Sequence, residues 1–114
     1  MEPSKISEFI KDVTLFGTLN DDQIQLLASN LEELSFKKGA YIFKENSDRD
    51  AVYAIYEGEV ELFKSTPFGE EKRLSFFRKF DFMGEGSLME NSPHSTTARA
   101  LTDVTLLALS KEKL

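Results

Sequence analysis

The 114-residue sequence contains no cysteine and no tryptophan, and its one histidine is His94. Without thiols there can be no disulfides, thiolate nucleophiles or cysteine-built zinc sites. A single imidazole likewise excludes a metal centre that needs several histidines, and any metal site would have to be nearly all carboxylate. No apolar run approaches the roughly 20 residues of a membrane span. Residues 1–11 lack the apolar stretch of a signal peptide, so a cytoplasmic protein with no membrane partner is expected. Basic residues are the minority, 14 against 20 acidic, for a net charge of -6. That balance argues against a surface that grips nucleic acid. It also gives no long-range attraction for an anion, so any anion site must act locally.

What is present fits one globular domain over residues 1–114: 40% hydrophobic and 30% charged residues, with ten Phe to build an aromatic core. Residues 4–30 have helical spacing. Ser4 is a candidate N-cap, and Ile6, Phe9, Ile10 and Val13 share one face. After a break at Gly17, Asn20 can cap a second helix, with Asp21 and Asp22 at its positive end. From Leu34 onward, short apolar runs alternate with turn residues. Strands are expected at residues 34–37, 40–44, 52–56, 60–64, 71–78, 96–101 and 104–109, with a final helix starting at Ser110. Gly58 is read as the positive-φ residue of a tight hairpin between residues 52–56 and 60–64. Seven or eight strands with no interleaved helices point to a barrel or a two-sheet roll.

One stretch, residues 82–100, interrupts this rhythm. Gly84-Glu85-Gly86-Ser87-Leu88 reads as a small-residue turn leading into one turn of helix, a geometry that aims backbone N–H groups at an anion. Glycines at 84 and 86 allow a ligand close to the backbone, and the Glu85 carboxylate can accept hydrogen bonds from ribose-like hydroxyls. The plain alternative is a glycine turn that only redirects the chain.

The stretch resembles the phosphate-binding cassette of the cyclic-nucleotide-binding domains of Crp/Fnr-type regulators and protein kinase A regulatory subunits. That pattern, Phe-Gly-Glu, small residues, Leu, a loop and then Pro-Arg-Ser/Ala-Ala-Thr-Val, corresponds here to Met83-Gly84-Glu85-Gly86-Ser87-Leu88 and Pro93-His94-Ser95-Thr96-Thr97-Ala98. Leu15-Phe16, Phe36 with Gly39, and Tyr53 through Val60 extend the likeness over almost the whole chain. It implies a mainly β fold, a double-stranded β-helix (jelly-roll-like β-roll) with flanking N-terminal helices and a short cassette helix. It also implies a regulatory domain with cAMP or cGMP as ligand, no cofactor, no catalysis, and an output domain or protein partner. By the same likeness Glu85 would bind the ribose 2′-hydroxyl. Gly84 opens the turn, and the N–H groups of Gly86 and Ser87 would face the phosphate. Ser95, with Thr96 beside it, would lie near the phosphate or base, and Leu88 and Ala98 would line the pocket. Family members of the Crp/Fnr type continue into a covering helix and a helix-turn-helix. Residues 1–114 are expected to lack both, so DNA binding would reside elsewhere.

Three positions depart from the pattern. His94 stands where the family has its phosphate-binding arginine, replacing a fixed cationic fork by a ring that is mostly uncharged near neutrality. Losing one partner of a buried charged pair costs about 2–5 kcal/mol. Arg99, five residues on, would point to the opposite face along a regular strand. His94 is therefore either a surface or pocket-edge residue or a weakened phosphate contact. Phe80 replaces a family glycine, and Gly86 stands where a larger apolar residue is common. The competing reading is a degenerate domain of the same fold that binds no nucleotide and serves as a protein-interaction or regulatory module. An enzyme of cupin type is disfavoured by the single histidine.

Overall fold

The computed structural model describes residues 1–13, 17–48, 50–84 and 93–110. The first helix, α1 (Pro3–Lys11), begins one residue before the expected Ser4 cap. Pro3 occupies the first turn, where its missing N–H would have had no intrahelical partner, and Glu2 takes the cap position without a side-chain hydrogen bond. Ile6, Phe9 and Ile10 are its buried face, as their spacing predicts. The second helix, α2 (Asp21–Asn30), is capped by Asn20 as expected. Asn20 Oδ1 accepts from the Gln23 N–H at 2.9 Å, and Gln23 Oε1 accepts from the Asn20 N–H at 2.9 Å.

Eight strands follow: β1 (Glu32–Phe36), β2 (Tyr41–Phe43), β3 (Ala51–Glu57), β4 (Val60–Ser65), β5 (Glu71–Phe77), β6 (Phe82–Met83), β7 (Thr97–Ala100) and β8 (Val104–Ser110). They form two antiparallel four-stranded sheets, β1-β8-β3-β6 and β2-β7-β4-β5. This is the mainly β two-sheet roll that the sequence led us to expect. Ser110 closes β8 opposite Ala51, and the residues after it that would carry the expected final helix lie outside the described residues. The expected cassette helix lies outside the described residues.

The pairing corrects one reading. The segment Glu57-Gly58-Glu59 is not a hairpin, because β3 and β4 belong to different sheets. Gly58 does have positive φ, +96°, but its turn carries the chain across the roll. A Cβ there would lie 2.4 Å from the Asp103 carbonyl oxygen and 2.8 Å from Val104 Cγ2. The turn is thus pressed against the turn before β8, and the Glu59 N–H donates to Thr102 Oγ1 at 3.1 Å. A glycine marks the backbone angle, but the partner strand is set by contacts distant in sequence. The hairpin at Pro67-Phe68-Gly69, by contrast, joins β4 to β5 as expected.

Apolar residues form two clusters. Between the sheets lie Phe43, Tyr53, Ile55, Val60, Met83, Ala98 and Leu106. On the far side of the first sheet, Ala54 and Leu107 pack against Ile6, Phe9, Ile10, Ile24 and Ala28 of the helices. Among the described residues no helix is long and apolar enough to cross a membrane.

Candidate functional site

The cassette is framed by two fixed ends. Upstream, β6 pairs with Tyr53 and Ala54 of β3 and delivers the chain to Gly84. Gly84 has φ +77°, and a Cβ there would sit 2.9 Å from the Ala51 carbonyl oxygen and 3.5 Å from the Tyr53 ring. Only glycine meets both the angle and the space. Glu85, Gly86, Ser87 and Leu88 lie outside the described residues, so their expected roles are not placed.

Downstream, His94 is 2% exposed. It is therefore not a surface residue. Nor does it belong to a strand, since β7 begins at Thr97. Its N–H donates to the Ser47 carbonyl and its carbonyl accepts from the Asn46 N–H, each at 2.8 Å. The polar loop after β2 thus holds it by the backbone. The imidazole stacks on Phe43 with centroids 3.8 Å apart and planes 10° apart. Phe43 in turn faces Tyr53 at 6.1 Å and 24°. The Tyr53 hydroxyl donates to Asp50 Oδ1 at 3.3 Å. Burial, reinforced by the Asp50 charge, pushes the Tyr53 phenol up to about 12. The three rings form a ladder from His94 to the wall beside Gly84. Sequence reasoning took Phe43 and Tyr53 only as strand residues. Their apolar character concealed that they line up between His94 and Gly84.

Of the other predicted residues, Ala98 is fully buried and pairs with both Phe43 and Leu62, on the inner face. Ser95 is exposed and Thr96 half-buried. Neighbouring Thr97 is buried, and its Oγ1 accepts from the Glu45 N–H at 2.9 Å.

Arg99 does not replace the missing arginine: it faces away from the core that holds Ala98 and Ala100, as strand alternation predicts, and it is already bound there. Its Nε donates to Glu61 Oε1 at 2.7 Å, and Nη1 and Nη2 reach Glu71 at 3.2 Å. Arg73 Nε and Nη2 bind the other Glu61 oxygen at 3.0 and 2.7 Å. Burial alone would push the Glu61 carboxyl up, but the hydrogen bonds from Arg73 and Arg99 hold it below the usual carboxylate range. Hydrogen bonds to Glu71 and Glu61 raise Arg99 further. This network lies on the outer face of the second sheet, away from the ring ladder. Among the described residues no three His, Asp or Glu side chains gather as a metal site.

Phe80, in the place of the family glycine, has φ +76°. A left-handed conformation costs a non-glycine residue roughly 1–2 kcal/mol. The ring stacks on Phe9 at 5.2 Å and 20°, and the Phe80 N–H donates to the Ile55 carbonyl at 3.0 Å. The stack on α1 offsets the cost of that angle.

The profile of the family described as the cyclic nucleotide-binding domain matches residues 33–114. A cAMP-dependent protein kinase regulatory subunit of Emericella nidulans is 30% identical over 104 residues, 91% of this chain and 24% of that protein. The chain spans about a quarter to a half of the length of the curated relatives it matches. Among solved structures, the regulatory subunit of a cAMP-independent protein kinase A from Trypanosoma cruzi, bound to guanosine, superposes with a TM-score of 0.90 at 25% identity, covering 97% of this chain and 39% of that one. Its counterpart from Trypanosoma brucei, with three substitutions of which one is threonine to arginine and bound to cAMP in the A site, gives 0.88 at 25% identity, covering 96% and 40%.

Proposed function

The chain belongs to the cyclic nucleotide-binding domain family, and on that premise we propose that it is a non-enzymatic, cytoplasmic sensor domain whose cassette takes a nucleotide-type ligand. The bound state would be passed to an output domain or protein partner. The observation that carries the reading is the frame around the cassette: Gly84, with an angle and a space that exclude any side chain, and Ala98, buried on the inner face, flank the family's motif at both ends. Within it Glu85 takes the ribose 2′-hydroxyl and the N–H groups of Gly86 and Ser87 face the phosphate position. Ser95 and Thr96 lie near phosphate or base, and Leu88 and Ala98 line the pocket. The relatives are consistent with this. One is named for cAMP dependence, one structure holds guanosine, and an arginine-bearing variant holds cAMP.

His94 sets the affinity. Arginine gives a phosphate two aligned charged donors; the imidazole in its place stacks on Phe43. Loss of such a contact weakens binding by about 30-fold to several thousand-fold. The test is titration of cAMP and cGMP into the chain and into His94→Arg, read by calorimetry and by the thermal midpoint. The expected result is millimolar-range binding in the parent and at least about 30-fold tighter binding in the variant. Glu85→Gln should weaken every ribose-bearing ligand. If no nucleotide or nucleoside shifts the midpoint of either protein at millimolar concentration, the reading is wrong.

A further inference from the structure

We propose that the outer face of the first sheet, where α1 stops covering it, is a docking groove for a lysine- or arginine-bearing segment of a partner protein. The groove is separate from the cassette and does not depend on what the cassette binds. Three cavities adjoin there, each open to solvent. The first, of about 480 Å³, lies between Ser35, Lys37, Glu57 and Asp103. The second, of about 490 Å³, shares Glu57 and Thr105 with it and reaches Lys5, Glu33 and Tyr56. The third, of about 330 Å³, shares Lys5 and Tyr56 with the second and runs on to Glu8, Asp12, Lys79 and Phe80. Linked shallow cavities suit an extended chain with spaced side chains better than an enclosed small molecule. Local structure builds both walls. Ser35, Thr105 and Glu57 are cross-strand neighbours on β1, β8 and β3, a polar row just beyond Leu107, where the helices pack. The β3 register shifts between Ile55 and Glu57, which leaves Tyr56 as the extra residue, its ring turned to Phe9 of α1. Lys5, Glu8 and Asp12, three and four positions apart, form the facing edge of α1 and its C-cap.

Charge selects the occupant. Among the described residues six carboxylates line the three cavities, those of Glu2, Glu8, Asp12, Glu33, Glu57 and Asp103, against three lysines and the Met1 amine. Glu33 is paired with that amine at 3.0 Å and Asp103 with Lys37 at 3.8 Å. Among the described residues no ion pair reaches the carboxylates of Glu8, Asp12 or Glu57. Lys79 lines the same cavity as Glu8 and Asp12, yet its ammonium sits over the rings of Tyr56 and Phe80, 5.1 and 5.4 Å from their centroids. The groove's own lysine thus shows that its aromatic end holds a cation. A partner's lysine or arginine finds rings and unpaired carboxylates together there, whereas an acidic segment meets like charge.

The test is titration of the isotope-labelled full chain with a peptide of alternating lysine and alanine, about ten residues long, and with its glutamate counterpart, at about 0.05 M salt. Amide signals of Glu8, Tyr56, Glu57, Lys79 and Thr105 should shift with the lysine peptide and stay put with the glutamate peptide. Those of Glu70 and Glu71, acidic neighbours on the β4–β5 hairpin, should stay put with both. Glu8→Gln combined with Glu57→Gln should weaken binding about tenfold, and Glu70→Gln less than about twofold. Phe80→Gly, which changes no charge, should weaken it about threefold, an effect that general attraction to an acidic protein would not give. Should the double variant fail to fold, Phe80→Gly and the map of shifted signals decide. No shift at the groove, equal shifts at Glu70 and Glu71, or a Phe80→Gly variant that binds as the parent does would each overturn the proposal.

Discussion

The two sheets have opposite solutions for their outer faces. The outer face of the first sheet is apolar and covered: Ala54 and Leu107 meet Phe9, Ile10 and Ile24 of the helices. Its central strands are consequently buried on both sides, and every residue from Ala51 to Ile55 is buried. The outer face of the second sheet has no helix among the described residues and is closed by charge. Glu61, 3% exposed, sits between Arg73 and Arg99, whose guanidiniums lie 4.4 Å from the Phe76 ring and 4.5 Å from the Phe63 ring. Planar guanidinium can cap an aromatic ring and ion-pair at its edge at once, which an ammonium cannot do. Covering by helices leaves stability in apolar area. Covering by arginines makes it depend on protonation.

The largest effect should come from the covered face. Phe9→Ala removes a ring that is 4% exposed and contacts both Tyr56 and Phe80. It should lower unfolding stability by about 4 kcal/mol, measured by urea denaturation. Phe76→Ala, at a ring 51% exposed on the other face, should cost under about 1 kcal/mol. Equal losses would erase the distinction between the faces. Next is the crossing between the sheets. Gly58→Ala combines positive φ with a Cβ 2.4 Å from the Asp103 carbonyl oxygen and should cost about 3 kcal/mol.

Glu61→Gln should cost about 2 kcal/mol, and its signature is in the pH dependence. The Glu61 carboxyl is held below its ordinary value in the folded state, so its contribution is complete above the unfolded value, near 4.3. It fades as pH falls through the lower folded value. The parent should therefore lose stability in acid more steeply than Glu61→Gln, and parallel curves from pH 7 to 2 would show that the network is not coupled to protonation. The smallest effect is at Phe80. Phe80→Ala loses the stack on Phe9 but keeps the unfavourable angle, at a cost of about 1 kcal/mol. Phe80→Gly loses the stack and relieves the angle, for a net change near zero. A glycine variant no more stable than the alanine variant would mean that the backbone there carries no strain.

The difference between the faces was partly legible in the residues. Ala51 through Ile55 and Leu106 through Leu109 are continuous apolar runs, the mark of strands covered on both sides. Val60-Glu61-Leu62 and Ala98-Arg99-Ala100 alternate, the mark of one open face. The Asn20 cap, the two-sheet architecture and the turn glycines followed from the same local rules. The start of α1 was misjudged because a serine cap was favoured over Pro3, whose locked φ suits the first turn. The site was less legible. The cassette could be located from Gly84, Glu85 and the run from Pro93, but nothing local shows that His94 turns inward onto Phe43, fifty-one positions earlier.

Sequence alone determined the fold class, the family and the missing cation, because backbone angles, apolar periodicity and residue identity are local properties. Tertiary structure alone decided that Gly58 crosses between sheets instead of closing a hairpin. It decided too that Arg99 is held by Glu61 and Glu71, and that His94 is buried in a ladder of rings. Each of these depends on which distant residues occupy the neighbouring space, and pairing across dozens of residues is set by packing the whole roll.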